Sequence, residues 1–393
     1  MDIDKELETA GDVVTPPELH RLGVIAAIVA TTAVALLLIR LFAPPEPSAE
    51  ELARVAADRF LDHYMEPDGR VVRRDQGGDT VSEGQAYAML LAVALGDQSR
   101  FELAWSWTKA HLRRSNGLFA WHWSRGRVLD SNSAADADVD TAYALVLAAQ
   151  HFHQPRYLQQ GRRIARSILT EETVDVAGAT PLLVAGPWAR TAPYVINPSY
   201  FAPSAFVALG KATGNPRWGA LVRSSHRLVN RLVYDPSMLP SDWAEIDDGG
   251  TLRPIGSPNR ADERHPRYGL DAPRLLVRLA TDCSERSRRL AAVAGRLLPL
   301  RPGQVAASYD LRGKPLAGHS HPLADVAASA VALALGDGRN ARDLLEHAES
   351  LERRASTYYG AAWLAIGRVM LTTTLLTDCT NTRAKNVQEL TAS

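Results

Sequence analysis

Cysteine is scarce in this chain, which has two among 393 residues, Cys283 and Cys379. Two cysteines are too few for a disulfide scaffold, and they lack the spacing of a zinc site. They could form one bridge if the domain lies outside the cytoplasm, where disulfides persist. On the sequence alone, two unpaired buried thiols are the interpretation that we prefer.

An excess of charge of either sign is also missing, because lysine plus arginine and aspartate plus glutamate number 44 each. No overall field therefore draws the protein to nucleic acid or to acidic lipid. The sequence shows no RNA- or DNA-binding motif, and we expect no nucleic-acid partner. Hydrophobic residues make up 46% of the chain, which is ample for a large folded core.

One long uncharged run lies near the N-terminus. The segment Leu22–Ile39 has no charged residue, and with the following Arg-Leu-Phe it reaches the ~20 residues that cross a bilayer. A cleaved signal peptide would have a shorter apolar region and a cleavage site of small residues, whereas prolines follow here. The sequence therefore predicts an uncleaved single-pass anchor at 22–42.

The segments on either side of this anchor differ in composition. Residues 1–21 lean acidic and form the predicted N-terminal cytoplasmic tail. Residues 43–51 form a stiff, proline-rich linker to the domain that follows. Arg21 and Arg40 lie symmetrically at the two ends of the apolar run, so the excess of positive charge that usually orients a membrane segment decides little.

Beyond the linker, apolar residues recur at three- and four-residue spacing, as on the buried faces of helices. The segments with this spacing are 49–64, 82–96, 98–113, 136–153, 155–170, 199–213, 216–232, 271–282, 284–298, 321–335, 339–352 and 356–376. They show no βαβ alternation, and many are joined as close pairs, which is typical of αα-hairpins. The pattern predicts an all-α domain at 52–376 that closes into a toroid, followed by a polar C-terminal tail at 377–393.

Three stretches interrupt the helical spacing: "WHWSRGRVLDSNSA", "DVAGATPLLVAGPWARTAPYVINP" and "YDPSMLPSDWAEIDDGGTLRPIGSPNRADERHPRYG". Irregular connections of this length in a compact domain are usually functional. In the third stretch, Asp248-Gly249 or Gly249-Gly250 could turn a small β-hairpin. Aromatic residues in these stretches either pack on the helices beneath or stack on sugar rings. They are Trp121, Trp123, Trp188, Tyr194, Tyr200, Phe201, Trp243 and Tyr268.

Glu83 lies among small and hydroxyl residues just before an apolar run, in "DTVSEGQAYAML". Thr80-x-x-Glu83 and Ser82-x-x-Gln85 both fit the capping box, in which a hydroxyl and a carboxylate or amide satisfy free N–H groups at a helix start. On this local interpretation Glu83 is a helix cap. A catalytic role needs support from the rest of the chain.

Three more acidic residues, Asp136, Asp138 and Asp140, lie at another predicted helix start, where the macrodipole favours negative charge. Helical geometry places Asp136, Asp140 and Tyr143 on one face and Asp138 elsewhere, so the three aspartates cannot have one common role. A calcium loop is excluded because its sixth-position glycine and twelfth-position glutamate are missing. Asp271 begins a further helix and would be an ordinary cap on its own.

Together these motifs resemble glycoside hydrolase family 8, the endoglucanases that include the bacterial cellulases associated with cellulose synthesis. The motifs are "SEGQAYAMLLAV", "NSAADADVDTAYALVLAAQHF", "INPSYFAPSAF", "LPSDW", "YGLDAPR" and "YYGAAWLAIG", in the family's order, from about Leu52 to Leu371. The chain departs from the family's preferences at Ala86, Ala88, Ala135 and Thr141. These small changes leave the carboxylates in place.

The resemblance implies an (α/α)6 toroid that hydrolyses β-1,4 glycosidic bonds with inversion and needs no cofactor. Glu83 would be the general acid and Asp271 the general base that activates water. Asp136 would hold the sugar at the cleavage point, and Tyr200 would help to position the water. Inversion requires such a pair, one acid for the leaving oxygen and one base for the water on the opposite face.

The remaining predicted site residues bind substrate. Trp121, Trp123 and Trp188 are candidates for stacking on sugar rings, and Tyr268 and Arg274 belong to the same motif as Asp271. Polymeric substrates cannot enter a cell, so we expect the catalytic domain outside the cytoplasm, at the cell membrane. A polysaccharide synthase complex is then a candidate partner.

Other functions are compatible with parts of this pattern. The same mechanism could act on xylan, chitosan or mixed-linkage β-glucan. A polysaccharide-binding protein without activity would not need Glu83, Asp136 and Asp271 together. Intracellular α-toroids that make terpenes or modified peptides would need a DDxxD-like motif or a set of zinc ligands, and the sequence has neither.

Overall fold

The computed structural model describes residues 24–25, 27–29, 31–32, 47–234, 238–258 and 262–376. The chain divides into two compact units, Met1–Pro47 and Ser48–Ser393. Among the described residues, no helix combines the length and hydrophobicity that crossing a membrane requires. Most of the predicted anchor lies outside the described residues.

The described part of the second unit contains twelve α-helices and is mostly helical, which bears out the predicted all-α class in part. They are α1 (Ala49–Tyr64), α2 (Ser82–Leu95), α3 (Gln98–His111), α4 (Ala135–His151), α5 (Pro155–Glu171), α6 (Pro203–Thr213), α7 (Arg217–Tyr234), α8 (Ala272–Ala280), α9 (Glu285–Ala294), α10 (Pro322–Ala334), α11 (Gly338–Arg354) and α12 (Tyr358–Thr372).

The even-numbered helices form an inner ring. Each contacts the next even-numbered helix, and α12 contacts α2, so the ring closes. Their residues are buried on nearly all sides, as in α2 and α10, and a helix that is apolar all round belongs in a core. The odd-numbered helices, such as α5 and α7, are amphipathic and pack outside. This mostly helical arrangement is consistent with an (α/α)6 toroid.

The first and last helices of the ring are neighbours in space. Helix α12 packs against α1 as well as against α2. The hydroxyl of Thr372 donates a hydrogen bond to the carbonyl oxygen of Ala49 (3.4 Å). Close packing within the ring requires small residues: a Cβ at Gly367 of α12 would lie 2.3 Å from Cγ1 of Val326 on α10.

The links between helices are very unequal in length. Links that lead from an even to an odd helix have two to four residues. The links 65–81, 112–134, 172–202 and 235–271, which lead from an odd to an even helix, are long and contain all the strands in the described part of the chain. The long links and the N-terminal ends of the inner helices therefore lie at the same end of the ring.

The strands are β1 (Thr80–Val81), β2 (His122–Ser124), β3 (Arg127–Asp130), β4 (Thr173–Val174), β5 (Leu182–Leu183), β6 (Tyr194–Ile196), β7 (Trp243–Ile246) and β8 (Leu252–Ile255). They form three small antiparallel sheets, in the orders β1-β2-β3, β4-β5 and β6-β7-β8. The predicted hairpin is confirmed as β7–β8, with Gly250 at φ +83° in its turn.

The prediction for the cysteines is wrong in one respect. Cys283 is disulfide-bonded rather than an unpaired thiol. Cys379 lies outside the described residues.

Candidate active site

A cavity of about 310 Å³ lies where the long links meet the inner helices. It is lined by Glu83, Trp121, Asp130, Asn132, Ser133, Ala134, Ala185, Trp188, Tyr200, Trp243, Asp271 and Arg274. The ring thus brings Glu83 of α2 and Asp271 at the start of α8 to one place, although they are far apart in the sequence. Six of the nine predicted site residues line this cavity, and Asp136 is bonded to one of them.

Glu83 is not a helix cap. Helix α2 begins without a side-chain cap hydrogen bond. The Thr80 hydroxyl instead donates to the carbonyl oxygen of Val71 (2.7 Å), and the Gln85 amide accepts from the Val71 N–H (2.5 Å). Thr80 and Gln85, the residues that the capping pattern paired with this helix start, are therefore bonded elsewhere. The Glu83 side chain lines the cavity instead. The local interpretation of the sequence is therefore wrong.

The surroundings of Glu83 favour its protonated form. Burial, and then the negative charge of Asp136, raise the pKa of Glu83 to about 7, and the cations Arg274 and Arg73 offset part of this. A carboxylic acid that keeps its proton near neutral pH can donate it to a leaving group. Glu83 has the electrostatics of a general acid.

Arg274 connects the other two predicted catalytic carboxylates. Its buried guanidinium donates one hydrogen bond to Asp136 Oδ2 (2.8 Å) and another to Asp271 Oδ1 (2.8 Å). Burial raises the pKa of Asp136, and the charge of Arg274 works against this. The guanidinium also lies over the ring of Tyr200, 5.4 Å from its centre. Arg274 thus fixes Asp136, Asp271 and Tyr200 relative to one another.

Asp271 is held by polar partners but stays accessible. Its side chain is 32% exposed, whereas that of Asp136 is 2% exposed. Asp271 Oδ2 accepts a hydrogen bond from the Asn197 amide (3.1 Å). The orientation of that amide follows from Ser199, whose N–H and hydroxyl both donate to the Asn197 oxygen. A carboxylate held in this way can accept a proton from a water in the cavity.

Asp242 is a site residue whose role the sequence did not reveal. Its Oδ1 accepts the N–H groups of Gly269 (3.0 Å), Asp271 (3.2 Å) and Ala272 (2.7 Å), and so caps the start of α8. Burial, and then the charge of Asp271, raise the pKa of Asp242 to about 7. Glycine is required at 269 because a Cβ there would lie 2.3 Å from Asp242 Oδ2.

The three aspartates of α4 have separate partners, as their helical spacing predicted. Asp136 binds Arg274, and Asp140 forms a buried bidentate ion pair with Arg278 (2.8 and 2.6 Å), one turn further along α8. Asp138 points away from α8 and accepts the Phe119 N–H (3.0 Å). Among the described residues, no group of acidic, histidine and cysteine side chains is arranged to hold a metal ion.

Two of the predicted aromatic residues form walls of the cavity. Trp121 is half-buried, and Trp188 is 39% exposed. Trp188 lies two residues after Gly186, where a Cβ would lie 2.4 Å from the carbonyl oxygen of Ser133, another residue that lines the cavity. Tyr200 and Trp243, whose ring centres lie 6.1 Å apart, complete the aromatic lining.

Trp123 and Tyr268, which the sequence analysis assigned to substrate binding, do not line the cavity. Trp123 is buried between the ring of Trp107 (5.3 Å between centres) and the guanidinium of Arg70 (4.6 Å from the ring centre). Tyr268 is 1% exposed and pairs through its backbone with Tyr309. Both occupy core positions, which loop aromatics also commonly do.

Known proteins match the chain over both its sequence and its fold. The model of the family "Glycosyl hydrolases family 8" matches residues 28–258. An endoglucanase from Cellulomonas uda is 34% identical over 260 residues, 65% of this chain and 67% of that protein. A probable endoglucanase from Novacetimonas hansenii is 32% identical over 240 residues, 60% of this chain and 68% of that protein.

Among solved structures, the endoglucanase Cel10 from Klebsiella pneumoniae, a family 8 glycosyl hydrolase, superposes with a TM-score of 0.68 at 26% identity. The superposition covers 80% of this chain and 98% of that one. It extends the similarity beyond residue 258, where the sequence match to the family ends. The chain therefore belongs to glycosyl hydrolase family 8 and is an inverting glycoside hydrolase of the endoglucanase type.

Proposed function

We propose that this enzyme cleaves internal β-1,4 bonds of a glucan such as cellulose, with Glu83 as general acid and Asp271 as general base. The observation that carries the proposal is the contrast between two carboxyl groups of one cavity. Both are half-buried, but the pKa of Glu83 is raised to about 7 by desolvation and by the charge of Asp136, whereas Asp271 is bonded to Arg274 and Asn197. Paired carboxyl groups in contrasting environments are what acid–base hydrolysis of a glycoside needs.

The proposed reaction is one displacement. Protonated Glu83 donates its proton to the glycosidic oxygen as the bond from that oxygen to the anomeric carbon breaks. A water attacks the anomeric carbon from the opposite face and gives a proton to the Asp271 carboxylate. Asp136, fixed by Arg274, holds the sugar at the cleavage point, and Tyr200 helps to position the water. The water must fit between Asp271 and the sugar, so we expect carboxyl groups roughly 6.5–9.5 Å apart.

Product analysis tests the substrate and the mechanism together. Residues 44–393 would be incubated with purified cellulose, mixed-linkage β-glucan, xylan and chitosan, and NMR of the fresh products would identify the first anomer formed. We expect soluble β-1,4 glucan fragments that appear first as the α-anomer. Cleavage of xylan or chitosan instead would support the proposed mechanism but show that the substrate is another polysaccharide. Binding without cleavage would favour the non-catalytic alternative, and the β-anomer would overturn the role of Asp271.

The pH dependence of turnover should report the environment of Glu83. The acid must be protonated, so we expect kcat/KM to fall about tenfold per pH unit above pH ~7. Asp136→Asn removes a negative charge that raises the pKa of Glu83, so the alkaline limb should move to lower pH. Burial still keeps that pKa above its ordinary value. A limb that stays in place in the variant would show that Asp136 does not tune Glu83.

The aromatic walls can be tested by truncation. Trp121→Ala and Trp188→Ala should each raise KM for the polymer about two- to tenfold, the equivalent of a lost stacking contact of ~0.5–1.5 kcal/mol. The matched control is Trp123→Ala, which should lower the free energy of unfolding by about 3–5 kcal/mol because this ring is in the core. Unchanged KM in both wall variants would remove these residues from the binding site.

We also propose that the segment Leu22–Ile39 anchors the enzyme in the cell membrane, with its catalytic domain outside the cytoplasm. The uncharged sequence supports this, as does the disulfide bond of Cys283, since disulfides persist in oxidising compartments. This topology would allow association with a polysaccharide synthase complex. Reporter fusions at the C-terminus and protease access in intact cells test the proposal, and a cytoplasmic reporter signal would overturn it.

A further inference from the structure

Two buried carboxyl groups lie behind the cavity wall and take no part in the proposed reaction. Asp138 belongs to α4, and Glu172 directly follows α5; both are 0% exposed. Asp138 Oδ1 accepts the N–H of Phe119 (3.0 Å), and Glu172 Oε1 accepts the hydroxyl of Ser133 (2.8 Å). Each carboxyl group therefore has one oxygen already bonded.

The two side chains also interact with each other. Asp138 and Glu172 lie within hydrogen-bond reach of each other. Within the described part of the chain, neither Asp138 Oδ2 nor Glu172 Oε2 receives a hydrogen bond from an N–H or a hydroxyl. Two carboxylates in this position would repel each other, whereas a carboxylic acid and a carboxylate form a strong hydrogen bond. A hydrogen bond between the two side chains therefore requires that one of them is protonated.

The charges around the pair agree with one retained proton. Burial, and then the negative charge of Glu172, raise the pKa of Asp138 well above its usual range. Burial raises the pKa of Glu172 to about 7, and the Asp136 charge adds to this. The positive charge of Arg114 favours ionised Glu172 and offsets part of this shift. The arrangement fits a protonated Asp138 that donates to Glu172.

The pair joins structural parts that build the cavity. Ser133, which donates to Glu172, lines the cavity itself. The carbonyl oxygen of Glu172 accepts the Val184 N–H (3.0 Å), and the next residue, Ala185, also lines the cavity and accepts the Ala135 N–H (3.1 Å). Glu172 thus holds both segments that flank the first turn of α4, the turn that carries Asp136.

We propose that Asp138 and Glu172 share one proton across a buried carboxylic acid–carboxylate hydrogen bond, and that this bond positions the first turn of α4 and with it Asp136. Asp138 and Glu172 are positioning residues, since neither lines the cavity. The second half of the proposal rests on the role proposed for Asp136. The shared proton does not, and it can be tested without any measurement of activity.

The first test is the pH dependence of unfolding. Between pH ~5 and the pKa of the folded pair, the folded protein holds a proton that the unfolded chain has released, so stability falls as pH rises. Asp138→Asn keeps the shape, donates an amide hydrogen to Glu172 and cannot titrate. The ratio of the wild-type and variant unfolding constants should therefore change about tenfold per pH unit in this range. Parallel curves for the two proteins would overturn the shared proton.

The second test separates positioning from stability. Asp138→Ala leaves the Phe119 N–H and Glu172 without a partner, and a shifted Asp136 should lower kcat by about 10²-fold. Asp138→Asn should restore wild-type kcat, as a rescue by the conservative variant. Wild-type kcat in a folded Asp138→Ala enzyme would overturn positioning.

If Asp138→Ala does not fold, Glu172→Gln provides a second test of the shared proton. Its amide can accept from Ser133 and donate to an ionised Asp138, so it should flatten the pH dependence of stability as Asp138→Asn does, with kcat near wild type. An unchanged slope would overturn the shared proton. If these unfolding results hold while Glu83 proves dispensable for turnover, the proposed catalytic roles fail and the proton pair stands.

Discussion

Glu83→Gln and Asp271→Asn should each lower kcat by about 10²–10⁴-fold, the range that general acid–base catalysis contributes. Both changes keep the volume of the side chain and remove only its ability to exchange a proton. In the proposed reaction Glu83, whose pKa is raised to about 7, donates the proton, and Asp271, whose side chain is 32% exposed, accepts one from water. Initial rates on a soluble β-1,4 glucan measure the loss, and circular dichroism should show a folded domain in both variants.

Asp130 provides the control for these variants. It is a third carboxylate of the same cavity, and its Oδ1 accepts the N–H of Asn132 (2.9 Å). Asp130→Asn changes charge in the cavity without touching the proposed acid or base, so its rate should stay close to wild type. A rate near wild type for Asp271→Asn would show that Asp271 is not the general base, and only the role proposed for Glu83 would stand.

The second large effect concerns the two arginines of α8. Arg274 and Arg278 are both buried, and each pairs with an aspartate of α4. Replacing either by Gln leaves an uncompensated buried aspartate, so both variants should lose about 3–5 kcal/mol of unfolding free energy. Only Arg274 also binds Asp271. Arg274→Gln should therefore lower kcat by about a further 10²-fold, through the misplaced base.

The comparison of these two variants separates catalysis from stability. Urea unfolding gives the free energy of each, and kcat is measured under conditions where both are folded. Arg278→Gln should keep most of its turnover, because its partner Asp140 lies one turn below the cavity. If both variants lose turnover equally, the bridge from Arg274 to Asp271 has no specific catalytic effect.

The helices could be predicted because their signals are local, whereas the roles proposed for the carboxylates came from the resemblance of several motifs to a family. Periodic apolar residues mark buried faces, and each predicted helical segment has its counterpart between α1 and α12. The β7–β8 hairpin follows from its glycine-containing turn. The hairpin β2–β3 was not predicted, because its turn uses Arg125 at φ 51° before Gly126, and arginine is not a usual turn residue.

What could not be predicted depends on contacts between distant parts of the chain. Thr80 and Gln85 look like capping residues, but the fold offers Val71 as a better partner for both. The side chain of Asp242 caps a helix that begins thirty residues later. Asn197 orients Asp271 from another link altogether. No local pattern records such pairings, since they exist only once the ring has closed.

Because the ring is closed, each helix would keep the same neighbours even if the chain began at another helix. Helix α12 lies against α1, and Thr372 is hydrogen bonded to Ala49, so the chain enters and leaves the ring at one place. Joining those two points and opening the chain in the short link 281–284 would give a circular permutant with the same neighbours around every helix. In that chain Asp271 would come near the end of the sequence and Glu83 near its middle, while the cavity would stay the same. The sequence numbers of the cavity residues thus depend on where in the ring the chain begins, whereas their arrangement in space does not.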